Sequence, residues 1–304
     1  MQKFTYFAYG MRIISTLPLH GLREATDGEA SLEPSIEISV GSVPDTIEPT
    51  IEHNPICQVN HDEFLLNIHA VASYWVHAGQ WVVVQPVDGA DSASVELFLT
   101  TAAFSALLHQ RGMLPLHGSC IDTPRGAVLL GGLTGTGTST LAAAFSEQGY
   151  ALLSDDLSVI QLNDAGLPYV LPGYPELHLW RRDVQTLELL KRERLRQLRP
   201  EIEKYAFPVD NFQRIPQPLD SIYVLQLTDD SGCLITALPD ASKMVLLSQI
   251  MYGTRMAIRT DVFRKHWNMI ATFAPKVRVA KITRPTQSHN VEKLIEIVQA
   301  DIKR

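Results

Sequence analysis

The sequence predicts an α/β fold in which a phosphate-binding loop follows a β-rich N-terminal portion. Three observations carry this. Residues 1 to about 90 read as β-rich, with apolar residues alternating at period two over Ile68–Val76. A short apolar strand runs into a glycine-rich loop and then a helix at 127–145. The next strand ends in two adjacent aspartates, Asp155 and Asp156.

The chain has 304 residues, 45% of them hydrophobic and 19% charged, with 26 basic against 33 acidic side chains and a formal charge of −7. Such a composition excludes global disorder and is long enough to bury a core. An isoelectric point near 5.8 argues against nucleic acid or an anionic membrane as partner. No apolar run is expected to cross a bilayer, and the N-terminus lacks the apolar stretch of a secretory signal. Cys57, Cys120 and Cys233 are too few and too scattered for a disulfide framework or a zinc site. They read as buried thiols of a cytoplasmic protein.

In chain order, Phe4–Ser15 reads as an opening strand and Ile36–Ser42 as another, with a proline-rich loop over Ser42–Pro55. Ile68, Ala70, Ala72, Tyr74 and Val76 alternate as a half-buried strand does, and His77-Ala78-Gly79-Gln80 turns the chain into Trp81–Gln85. Apolar residues at three- and four-residue spacing predict a helix over Ser94–Gln110. From Leu114 to Leu162 the order is strand, turn at Thr123-Pro124-Arg125-Gly126, strand, glycine loop, helix, strand. The charged run Arg181–Lys204 reads as an amphipathic helix. A strand at Ser221–Leu227, helices near Ala241–Tyr252 and Asp261–Ala274, a strand at Val277–Ile282 and a helix from Asn290 complete the chain. The expected division is a β-rich region over 1–92 and a phosphate-loop α/β domain over 93–304.

The glycine loop is the informative site. Ala127-Val128-Leu129-Leu130 leads into Gly131-Gly132-Leu133-Thr134-Gly135-Thr136-Gly137-Thr138-Ser139-Thr140, and Leu141 to Phe145 continue as a helix. Successive backbone N–H groups in such a loop point at an anion, and the helix dipole adds partial positive charge. Against the pattern G-x-x-x-x-G-K-[ST], Gly132, Gly137 and Ser139 fall in place, while Thr138 stands at the lysine position. The candidate nucleotide-binding residues are therefore Gly132 and Thr134–Thr140. A structural turn competes with this reading when the loop is taken alone.

Asp155 and Asp156 at the end of the neighbouring strand suit magnesium binding or proton acceptance from a hydroxyl; as an isolated pair they would equally suit capping or solvation. His117, in Leu116-His117-Gly118, starts a strand expected beside the loop strand, from which its imidazole could reach the same carboxylates.

Leu116-His117-Gly118, the following hairpin, the glycine loop and Leu153-Ser154-Asp155-Asp156 resemble the catalytic core of the HPr kinase/phosphorylase family. The opening Phe7-Ala8-Tyr9-Gly10-Met11-Arg12-Ile13 and the later Leu171–Trp180 resemble the branch of that family found with lasso-peptide biosynthesis. The resemblance implies a phosphoenolpyruvate-carboxykinase-like fold, ATP and Mg²⁺, and phosphoryl transfer to a serine of a precursor peptide. It implies Asp155 as catalytic base, His117 as its neighbour, and Ser139 and Asp156 on the metal, with Asp156 also counted in the catalytic set. Glu176, in Glu176-Leu177-His178, stands where the family has a Glu-Ile-Arg run and is implied as a further metal-side carboxylate. Known members form hexamers, so a homo-oligomer is implied too. The Arg-Gly-Leu-Gly signature of the bacterial HPr enzymes is missing, which detaches phosphorolysis and the HPr substrate from the resemblance.

Thr138 leaves three outcomes open. The chain could bind nucleotide yet be weakened or inactive, another cation could have taken over (Arg181, Arg182, Lys204 or Arg255), or the loop could have lost triphosphate. The expected function is an attenuated serine kinase, with a non-catalytic nucleotide- or peptide-binding pseudokinase as the alternative.

Overall fold

A computed structural model describes residues 2–32, 35–187, 195–253, 261–286 and 291–303. Two compact units are distinguished by their internal contacts. One comprises 1–115, 196–204 and 253–266; the other comprises 116–195, 205–252 and 267–304.

The first unit is built on an eight-stranded sheet. Phe4–Ala8 (β1) and Met11–Ser15 (β2) form a hairpin, so the expected single strand Phe4–Ser15 is in fact two. Tyr9 and Gly10 both take positive φ, 53° and 71°, the backbone of a tight two-residue hairpin turn. Ser35–Val40 (β3) follows, then Glu52–Asn54 (β4), Cys57–Val59 (β5), Glu63–Ile68 (β6), Ala72–His77 (β7) and Trp81–Pro86 (β8). The sheet order is β1-β2-β3-β8-β7-β6-β5-β4, with β3 parallel to both neighbours. The predicted loop over Ser42–Pro55 thus contains the short strand β4. Ile68 and Ala72 are paired partners on β6 and β7, so the period-two run had joined two strands.

Ala72, Tyr74 and Val76 face inward from β7, where the helix Ser92–Gln110 (α1) packs against the strand. Asp91 caps this helix by accepting from the Ser94 N–H at 2.8 Å. It passes through a π-helical turn at Leu99–Ala103, where the Thr100 and Thr101 hydroxyls donate to the carbonyls of Glu96 and Leu97. Contrary to the expectation that no apolar run would qualify, α1 is long and apolar enough to span a bilayer, and 72% of its apolar window is buried inside the fold. A core helix passes the same test.

The second unit is centred on Leu114–Thr123 (β9), most of which it contains, and Gly126–Gly132 (β10), joined by the predicted Thr123–Gly126 turn. Its other elements begin with the helix Thr138–Glu147 (α2), the strands Ala151–Ser154 (β11), Leu157–Leu162 (β12), Pro168–Leu171 (β13) and Glu176–Trp180 (β14), and the helix Arg181–Thr186 (α3). The charged run expected as one helix therefore ends at Thr186. Residues 188–194 lie outside the described residues, and the chain resumes as strands Arg196–Arg199 (β15), which is counted with the first unit, and Ile202–Pro208 (β16), of which residues 205–208 are counted with the second.

Gln217–Thr228 (β17) lies parallel between β10 and Arg278–Pro285 (β19), with Leu234–Ala237 (β18) antiparallel on the outer side of β19. Asp240–Gln249 (α4) and Val291–Ile302 (α6) match predicted helices, as does Asp261–Phe273 (α5), which runs from one unit into the other. Val128, Leu130, Leu141, Phe145, Tyr223, Ile282 and Val298 close a core between sheet and helices. Each such fully buried side chain contributes roughly 1.5–3 kcal/mol. A buried Asp301 joins α6 to the sheet by accepting from Tyr223 Oη at 2.8 Å and from both guanidinium arms of Arg278.

Of the cysteines, Cys120 alone is fully buried; Cys57 and Cys233 are half-buried, and all three are free thiols.

Candidate active site

Strand β10 is buried along its whole length and delivers the glycine loop at its C-terminal end. The loop closes on itself through Thr136, whose N–H and hydroxyl both donate to the Leu133 carbonyl, at 3.1 and 2.8 Å. Gly132 makes this closure sterically feasible: a Cβ there would stand 2.3 Å from Thr136 Oγ1. Gly137 takes φ 97° and precedes α2 with no side chain capping the helix. Uncapped N–H groups at a helix start, reached through a left-handed glycine, are the backbone of an anion-binding nest.

Thr134 and Gly135 are exposed at the loop tip, whereas Thr136, Thr138 and Thr140 are buried. Ser139 is half-buried and donates its hydroxyl to Asp155 Oδ1 at 2.8 Å.

Asp155 is the centre of the cluster. It follows directly on β11 with 1% of its surface exposed, and its carboxylate accepts from the hydroxyls of Ser119 and Ser139 and from the His178 N–H at 2.7 Å. Burial, and next the charge of Asp156, raise its pKa above the ordinary carboxylate range; His178 and the hydrogen bonds oppose that rise. Asp156 is in the left-handed region, at φ 59°, a conformation that aspartate tolerates better than most residues. Its Oδ2 lies 2.7 Å from His178 Nδ1.

His178 and Glu176 are two residues apart on β14 and therefore share one face of that strand. His178 Nε2 lies 3.9 Å from Glu176 Oε2, and both side chains are buried. The structure thus gathers Asp155, Asp156 and Glu176 around His178, with Ser139 joined to them through Asp155.

His117 is placed differently from the expectation. Its Nδ1 lies 3.1 Å from the backbone oxygen of Asp156 rather than against a carboxylate, and its Nε2 is 3.5 Å from Thr134 Oγ1. The imidazole that meets an acid is that of His178, on Asp156, and the backbone N–H of the same residue reaches Asp155. No strand is expected from the sequence over Glu176–Trp180, so the Glu-x-His spacing gave no signal that the two side chains share a face.

Among the described residues, no three His, Cys, Asp or Glu side chains form a metal-binding group by themselves. Magnesium seldom needs one. It takes one or two protein oxygens and completes its shell with phosphates and water. Ser139, Asp156 and Glu176 offer hard oxygen donors of that kind, so the donor set fits an ion brought in by a nucleotide.

No model of a known protein family and no curated protein matches the chain. Among solved structures, it is similar to that of the Hpr(Ser) kinase/phosphatase from Coxiella burnetii. The match has 14% sequence identity and a TM-score of 0.35, and covers 62% of this chain and 95% of that one. At this level of likeness the chemistry has to be read from the site.

Of the cations considered for the lysine position, Arg181 and Arg182 are exposed on α3, and Lys204 belongs to the first unit. Arg255 lies outside the described residues. The cation against the loop is one the sequence reading missed, Arg284, whose Nε donates to the Thr136 carbonyl at 2.7 Å.

Proposed function

We propose that the chain is an ATP-dependent kinase of phosphoenolpyruvate-carboxykinase-like P-loop type. It would act in the cytoplasm and phosphorylate a serine hydroxyl of a ribosomally made, lasso-type precursor peptide. The observation that carries this reading is the Ser139–Asp155 hydrogen bond at 2.8 Å, which ties a buried acid of raised pKa to the first turn after an anion-binding loop.

In the reaction, the serine oxygen forms a bond to the γ-phosphorus while the bond from that phosphorus to the bridging oxygen of ADP breaks. The serine proton passes to the Asp155 carboxylate. A base with a raised pKa accepts that proton more readily at neutral pH than an ordinary carboxylate does. Backbone N–H groups of residues 134, 135 and 137–140 bind the phosphates, that of Thr136 being engaged in closing the loop, and the helix dipole stabilises the charge that develops on them. Ser139 and Asp156, with Glu176 nearby, would hold magnesium, which neutralises phosphate charge when bound. His178 keeps the two acids in place.

Thr138 supports a second reading, a pseudokinase that binds nucleotide or peptide without turnover. A threonine lacks the ammonium that would span the β- and γ-phosphates, and losing one such donor lowers rates on the order of 10²–10³-fold. The discriminating assay is incubation with Mg-ATP and a precursor peptide, followed by mass analysis for a phosphoryl increment. The kinase predicts phosphopeptide from the wild-type chain, more from Thr138→Lys, and none from Asp155→Asn. Binding of ADP or peptide with no phosphopeptide from either of the first two leaves the pseudokinase.

A further inference from the structure

We propose that Arg284 stands in for the absent loop lysine, supplying from behind the loop both a fixed positive charge and the peptide orientation that polyphosphate binding requires. This rests on the phosphate-loop reading of residues 132–140 and goes beyond it by naming the cation.

The geometry follows from strand register. Gly132 pairs with Leu225 on β17, and Leu227 pairs with Arg284 on β19, so Arg284 lies at the loop end of the parallel strands, two strands across from β10. Its side chain returns toward the loop. Nε donates to the Thr136 carbonyl at 2.7 Å, and Nη2 would stand 3.3 Å from a Cβ at Gly137.

A trans peptide points its C=O and N–H in opposite directions. Holding the Thr136 oxygen toward the guanidinium therefore turns the Gly137 N–H away from it, into the concave side of the loop. Arg284 is only 5% exposed. A charge in that setting is less screened than one on the surface. Burial favours its neutral form, the charge of Arg182 acts in the same direction, and that of Asp183 opposes both. An anion in the loop would offset that burial.

Strand-end packing alone would also place an arginine here, and the two roles separate experimentally. The test uses the full chain and two probes, inorganic pyrophosphate and ADP, followed by calorimetry, with thermal unfolding as the fold control. Arg284→Met should weaken pyrophosphate on the order of tenfold or more. Arg284→Lys, which keeps the charge, should stay within about threefold of wild type. Adding Thr138→Lys to Arg284→Met should recover most of the loss. Should Arg284→Met not fold, Arg284→Gln takes its place with the same thresholds, since it retains a donor for the Thr136 carbonyl without the charge.

Unchanged pyrophosphate affinity in a folded Arg284→Met protein would overturn the proposal. So would an equal loss in Arg284→Lys, which would mark shape rather than charge. A wild-type chain that binds pyrophosphate in an Arg284-dependent way but not ADP keeps this proposal and removes the nucleotide reading. A chain that binds ADP equally well with and without Arg284 does the reverse, and one that binds neither probe removes both.

Discussion

The imidazole of His178 lies 2.7 Å from the carboxylate of Asp156, while the backbone N–H of the same histidine donates to Asp155 Oδ2 at the same distance. One residue thereby fixes both acids of the candidate site. It also opposes the rise in the pKa of Asp155 that burial and Asp156 produce. Two adjacent carboxylates in a dry site repel each other, and a hydrogen-bonded histidine is the simplest relief.

Replacing His178 with glutamine keeps the backbone contact to Asp155 and removes the imidazole. The pKa of Asp155 should then rise further, so the acidic limb of the pH profile for kcat should move to higher pH, with the KM for ATP little changed. A drop in kcat of about 10–100-fold is expected by analogy with loss of a residue that orients functional ligands. A limb that stays in place would show that His178 does not act on the base.

Asp155→Asn should abolish turnover and yet stabilise the fold at neutral pH. The carboxyl is buried with a folded-state pKa above its unfolded value. The folded protein therefore holds this proton more tightly, and the stability it contributes is full below the unfolded pKa and lost as pH rises through the folded one. Asparagine is neutral throughout, and the Ser119 and Ser139 hydroxyls can rotate to accept from its amide. A higher Tm than wild type at pH 7.5, with the difference closing toward pH 4, is the expected pattern. A lower Tm across that whole range would mean that the ionised carboxylate is the form the fold prefers.

In the first unit, His266 is fully buried with its ring 4.9 Å from that of His109. Burial, then the His109 charge, push its pKa down to about 3, with Lys265 adding to the effect. Since the folded value lies below the unfolded one, stability is lost as pH falls below about 6.5, by up to roughly 1.4 kcal/mol per pH unit for this single group. Urea denaturation from pH 7 to 4 should show a shallower decline for His266→Leu than for wild type. Parallel curves would exclude His266 as a source of acid sensitivity.

The loop and its acids were legible because their signals are local. Strand, glycines and helix start lie within one stretch, and Asp155 and Asp156 end the next strand. What escaped depends on strand order. Arg284 reaches Thr136 across two parallel strands, and no spacing in the sequence reports that distance. The sequence points His117 at the acids and gives His178 no role, whereas the structure turns His117 toward the Asp156 backbone and His178 toward the Asp156 carboxylate. In the fold, Tyr9 at φ 53° hid a hairpin inside one apparent strand, since a tyrosine gives no turn signal. The run after Arg181 looked helical from its charge pattern, yet Arg196–Arg199 is a strand, where pairing with neighbours outweighs propensity.

Gly137→Ala tests whether the loop backbone itself forms the anion site. At φ 97° an alanine is strained by about 1–3 kcal/mol, and its Cβ would stand 3.3 Å from Arg284 Nη2, so the guanidinium that holds the Thr136 peptide must give by a few tenths of an ångström. Gly149→Ala serves as a control: Gly149 has a similar φ of 92°, but a Cβ there would meet nothing within 4 Å. Both variants should lose comparable stability through backbone strain. Only Gly137→Ala should lose pyrophosphate binding, by about tenfold or more, because only there do N–H groups of the nest change direction. Equal binding by the two variants at matched Tm would move the anion site away from residues 134–138, and with it the hydroxyl-activating role of Asp155.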